Sequence, residues 1–218
     1  MFKKILSKFS NNDKALSNFE SQSPTLPKIE TKFLDLVFLI DSSLSMKEND
    51  PEFQRVGAAM MLIKALEPAD RIAVIQFEEE TETMCALTTD KDKAINCFEK
   101  LRLTDKGTRI DRAILRGIKE LTNNPSSNHR AILLFTDGGG TYKENLNKMA
   151  RESGIRIFCI GLGNKVNKYL CQSMALKTGG MYLHAKDAGM LLNIFQRVTY
   201  VFKRLVTQEP IRDAGRLL

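Results

Sequence analysis

Two rhythms alternate along this chain. Nearly continuous apolar runs, FLDLVFLI (33–40), RIAVIQF (71–77), AILLFT (131–136) and IRIFCIGL (155–162), read as strands covered on both faces. Shorter runs at 83–88 and 181–184 add two more strands. Between them the apolar positions recur at helical spacing: across 51–66, at Ala94, Ile95, Phe98 and Leu101, and at Ile110, Ala113, Ile114, Gly117 and Leu121. The same spacing returns across 142–152 and 166–177, and at Leu191, Phe195, Val198, Phe202 and Leu205. Pro51 is expected in the first turn of the 51–66 helix, where its missing N–H costs nothing. The acidic run EEETE (78–82) is expected to be a solvated hairpin tip. Strands alternating with helices predict an α/β fold: a doubly wound, mainly parallel six-stranded sheet, Rossmann-like, with one short antiparallel edge strand and helices on both faces.

Residues 1–32 break this rhythm. Phe2, Ile5, Leu6 and Phe9 recur at helical spacing among Lys3, Lys4 and Lys8, and a polar stretch with Pro24 and Pro27 follows. We expect 1–32 to be a leader and linker with a short amphipathic helix, 33–206 to be the domain, and 207–218 a tail. The last helix should stop before Pro210.

Composition narrows the class. The 218 residues fit one domain with some extra, and 43% hydrophobic with 27% charged residues is a soluble balance. No apolar run approaches the roughly 18 residues that span a bilayer. The start, MFKKILSKFSNN, lacks the apolar core of a secretory signal. A cytoplasmic location without membrane contact is expected. Cys85, Cys97, Cys159 and Cys171 form no CxxC pair, so reduced thiols are expected. The net charge of +7 is spread along the chain, with no basic stripe interleaved with aromatics. That sets nucleic acid aside as the expected partner and leaves an anionic membrane or an acidic protein.

The polar residues of interest follow the strands. In FLIDSSLSMKEND, Asp41, Ser42, Ser43 and Ser45 come directly after the first strand. Such a cluster suits a helix cap, a nucleophile site or a set of oxygen ligands. In FTDGGG, Asp137 comes directly after another strand, and KGTRIDRAI brings Thr108 to the start of a helix. In a doubly wound sheet the first strand and AILLFT become neighbours where the winding reverses, which is where ligands bind. A serine nucleophile needs a base within reach. His129 opens AILLFT from the far end, roughly 20 Å away, and His184 falls at the sheet edge. No GxxxxGK[ST] run is present, and Gly161-Leu162-Gly163 is a lone GxG. A hard-cation site remains, since carboxylate and hydroxyl oxygens suit Mg²⁺ or Mn²⁺. Neutral hydroxyls leave the ion's charge undercompensated, so it seeks an external anion.

Asp41-Ser42-Ser43-Leu44-Ser45, Thr108 and Asp137 together resemble the metal-ion-dependent adhesion site of von Willebrand factor type A domains, written DxSxS…T…D. The resemblance covers about 33–206, and a bacterial intracellular member is expected. Leu44 departs from it, standing where many members carry Gly. The resemblance implies that Ser43, Ser45 and Thr108 bind the metal directly. Asp41 and Asp137 act through water or orient the hydroxyls. A Glu or Asp of a protein partner completes the coordination. It further implies a binding module and not an enzyme, with partners such as AAA+ ATPases or stress-response assemblies. The alternatives are a Mg²⁺-dependent phosphotransfer or hydrolase enzyme, and a scaffold subunit with a vestigial site.

Overall fold

The computed structural model describes residues 32–164, 166–187 and 190–207. The leader expected at 1–32 and the tail at 207–218 lie outside these residues but for Lys32 and Thr207. Six strands form one sheet: β1 (Leu34–Asp41), β2 (Arg71–Phe77), β3 (Thr81–Thr88), β4 (His129–Thr136), β5 (Ile155–Leu162) and β6 (Tyr182–Ala185). Their order is β3-β2-β1-β4-β5-β6. All pairs are parallel except β2 with β3. The chain therefore winds outward from β1 to β3, then returns past β1 to continue in the other direction. That reversal opens a crevice beyond the carboxyl ends of β1 and β4.

Among the described residues, seven α-helices accompany the sheet: α1 (Met46–Asn49), α2 (Gln54–Ala65), α3 (Lys91–Asn96), α4 (Ile110–Asn123), α5 (Asn145–Glu152), α6 (Lys168–Thr178) and α7 (Leu191–Thr207). Alternate residues of β1 serve opposite faces, as the period of a strand requires. Leu36, Phe38 and Ile40 pack with α2, α3 and α7, while Val37 and Leu39 pack with α4, α5 and α6. Phe38, Phe135 and Phe195 stack in series through the first layer, tying α7 to the middle of the sheet. No helix among the described residues is long and apolar enough to cross a membrane.

Two local expectations are corrected. The helix expected over 51–66 begins only at Gln54, and Pro51 lies in the turn before it. The cause is Asp50. Its buried carboxylate accepts from the backbone N–H of Gln54 (2.7 Å) and of Arg55 (3.0 Å), and pairs with the Arg55 guanidinium at 2.6 Å. Capping from that distance forces Phe53 into the left-handed region, φ 55°, where its ring lies against the Arg55 guanidinium. The acidic tip is also smaller than expected. Thr81 and Glu82 pair with Phe77 and Gln76 inside the sheet, and Glu78 is buried. Glu79 and Glu80 stand out into solvent in the turn, and Glu82, although paired in β3, is exposed as well.

Candidate functional site

β1 delivers Asp41 to the crevice with its side chain fully buried. One carboxylate oxygen accepts from the Ser43 backbone N–H (3.0 Å) and the Ser43 hydroxyl (2.6 Å). The other accepts from the Thr136 hydroxyl at 2.7 Å. Thr136 ends β4 beside β1, so the parallel pairing itself sets this contact. Ser43 Oγ and Ser45 Oγ lie 3.3 Å apart. Ser42 turns the other way. Its N–H and hydroxyl both donate to Phe77 O, and its carbonyl accepts from Thr104 N–H, which ties the loop to β2 and to the segment leading to Thr108. Leu44 points into solvent.

Asp137 enters from β4 and is nearly buried. Its carboxylate accepts from Gly139 N–H (2.9 Å) and from Asn49 Nδ2 (3.1 Å). Thr108 is brought in by backbone bonds: Thr141 N–H donates to Thr108 O at 3.1 Å, and Arg109 N–H donates to Glu78 O at 2.7 Å. Gly140 makes this approach possible, since a Cβ there would sit 2.5 Å from Thr108 O. The Thr108 hydroxyl makes no hydrogen bond to a described residue. Of the five candidate residues, Asp41, Ser43 and Ser45 thus form one bonded chain, while Asp137 and Thr108 reach the same rim through their loops.

Sequence reasoning missed two contributors. Thr136 was readable in principle, as the last residue of a strand paired with β1. Asn49 was not. It depends on α1 folding back until the Asn49 amide lies against Gly163, whose φ is +87° and where a Cβ would fall 2.1 Å from Asn49 Oδ1. The two histidines stand apart. His129 opens β4 at its far end, and His184 Nε2 bonds Gly163 O at 2.9 Å.

The electrostatics favour a cation. Among the described residues, no ion pair uses Asp41 or Asp137. Burial pushes the Asp41 carboxyl up to about 6, against the lowering effect of the Ser43 and Thr136 hydrogen bonds, and Asp137 adds to the rise. A buried carboxylate facing clustered hydroxyl oxygens, with no basic side chain to balance it, fits a hard divalent ion. Among the described residues no three His, Cys, Asp or Glu side chains converge in a metal-binding arrangement. The oxygens at this rim are mostly hydroxyls and fall outside that pattern.

The chain resembles several known proteins. It is 29% identical to mouse inter alpha-trypsin inhibitor heavy chain 4, over 88% of this chain and 22% of that protein. It is 27% identical to bovine calcium-activated chloride channel regulator 1, over 89% of this chain and 22% of that protein. The chain thus spans about a fifth of these relatives' length. Two solved structures share the fold. BatB of Bacteroides thetaiotaomicron has a TM-score of 0.66 at 20% identity, covering 78% of this chain and 99% of that one. Mussel byssus proximal thread matrix protein 1, solved with a zinc-occupied MIDAS motif, has a TM-score of 0.68 at 20% identity, covering 78% of this chain and 46% of that one. The von Willebrand factor type A domain profile matches residues 35–197, which is most of the chain and all of the sheet but Leu34, and the chain belongs to that family.

Proposed function

We propose that this domain is a metal-dependent protein-binding module whose metal is held by Ser43, Ser45 and Thr108, with Asp41 and Asp137 as accepting or water-linked groups. The observation that carries it is the buried, uncompensated Asp41 carboxylate bonded to Ser43, whose hydroxyl adjoins that of Ser45. Asp41 orients the Ser43 hydroxyl by accepting its hydrogen bond, which turns the oxygen lone pairs outward. Thr136 and Asn49 hold the two carboxylates from behind. Oxygen donors favour Mg²⁺ or Mn²⁺. The zinc in the mussel protein supports a divalent ion at this place in the fold and makes zinc a competitor to test.

When bound, the ion supplies a positive centre that a partner's Glu or Asp can reach. The three hydroxyls around it are neutral, so a partner carboxylate gains a charged contact in a partly dry interface. His129 opens β4 at its far end and His184 is engaged with Gly163 O, so neither bonds a rim hydroxyl as a general base, which supports binding without turnover. The partner class is an acidic protein surface; AAA+ ATPase and stress-response assemblies in a cytoplasmic setting are the first to try. The test uses an identified partner. Each of its exposed acids is changed to the amide, and binding is measured in Mg²⁺ and in EDTA. One acid is expected to dominate, with affinity falling more than tenfold on its loss or on metal removal. Binding indifferent to EDTA, or to every acid, would overturn the reading.

A further inference from the structure

A second cluster lies at the other end of the sheet, at the amino ends of β4 and β5. His129 and Arg130 open β4, and Arg156 is the second residue of β5. Arg151, in the last turn of α5, is returned to the same place by the two-residue turn Ser153-Gly154. These four side chains and Thr178 line a cleft of about 220 Å³.

Among the described residues, no carboxylate lines this cleft. Two acids on adjoining elements are already engaged. Asp35 is held by Arg71, Ser126 and Asn128, and Glu152 lies 3.8 Å from Lys148. Among the described residues, no ion pair uses Arg130, Arg151 or Arg156. Among the described residues Arg130 donates to Ser153 O and Ser126 O alone, both at the long distance of 3.4 Å. Thr178 is satisfied within the fold, accepting from Ile157 N–H and donating to Met174 O. His129 is not: its Nε2 is buried without a hydrogen-bond partner among the described residues. Burial first, then the charges of Arg156 and Lys32, hold the His129 imidazole below its usual range.

Three guanidinium groups around one cleft repel one another, and the buried Nε2 of His129, which lines the same cleft, is left without a partner. One oxyanion answers both. Arginine's planar fork matches phosphate oxygens two at a time, and the lining cations with full charge are all arginines. We propose that this cleft binds a phosphate group, free or as a small ester, through Arg130, Arg151, Arg156 and the Nε2–H of His129. Arg151 is exposed, so the cleft is reached from solvent. The site is independent of the metal rim.

The test titrates the full chain with inorganic phosphate at constant ionic strength, with EDTA present so that no anion is held through a metal. The chain has two histidines, so the ring signals of His129 are followed by NMR with His184 as the internal control. The expected result is a saturable shift at His129 with His184 unmoved. Arg156→Gln and Arg151→Gln should each weaken binding roughly tenfold or more. Arg151 is exposed, so R151Q decides the question if R156Q fails to fold. A parallel titration with phenyl phosphate separates the sources: equal binding assigns an ester, exclusion assigns the free anion. A His129 shift that never saturates, or that persists unchanged in R151Q, would overturn the proposal.

Discussion

Asp41 is the residue on which the electrostatics turn. Its folded carboxyl titrates near 6, above the ordinary 3.8, because burial penalises its charge. A raised carboxyl pKa means that the folded state holds the proton more tightly than the unfolded chain. The contribution to stability is therefore full below about 3.8 and is lost as pH rises through about 6. The gap corresponds to roughly 3 kcal/mol of cost at neutral pH in the absence of metal. Asp41→Asn removes that charge while keeping oxygen for Ser43 and an amide for Thr136. In EDTA at pH 7.5 the variant should melt at or above the wild type. Mg²⁺ should raise the wild-type melting temperature and leave the variant's unchanged. A variant that melts well below wild type in EDTA would mean that the carboxylate serves the fold and not a cation.

At this scale Asp41, Ser43 and Ser45 were legible because they are neighbours in the chain, and a turn after a strand brings such residues together by local geometry. Asp137 was legible because it follows a strand that the winding rule sets beside β1. Thr136 and Asn49 were not singled out. One required the exact strand pairing, and the other a fold-back of α1 onto Gly163 that no local pattern announces.

Among elements, strands buried on both faces read clearly, since a continuous apolar run at such length has few other uses. The start of α2 did not, because Asp50 overrides the usual preference for Pro in a first turn. Asp50 caps two backbone N–H groups and neutralises the fully buried Arg55. Removing one partner of such a pair leaves a buried charge exposed to no water, which typically costs about 3–5 kcal/mol. Asp50→Ala should therefore destabilise the domain by about that amount in chemical denaturation, far more than Ser45→Ala, whose loss at the rim should be about 1 kcal/mol or less. The two variants falling equally would show that the Asp50–Arg55 pair does not anchor α2.

For the whole molecule, the sheet order follows from the alternation of strands and helices, and the site follows from the sheet order. The partner does not follow from either, because in the proposed function the last ligand belongs to another chain. The stretch 1–32, proposed as a leader and linker, is a separate matter. Its polar, proline-bearing stretch before Phe33 argues that the domain folds without it. Deleting residues 1–30 should leave the melting temperature within a few degrees; a collapse of folding would mean that Phe2, Ile5, Leu6 and Phe9 complete the core. The central claim is the metal site, and calorimetric titration of metal-free protein with Mg²⁺ and Mn²⁺ tests it most directly. The account predicts one saturable binding event at pH 7.5, weakened at least tenfold in Thr108→Ala and in Ser45→Ala while both variants melt within about 1 kcal/mol of wild type. No saturable heat in the wild type, or the same heat in both variants, would contradict it.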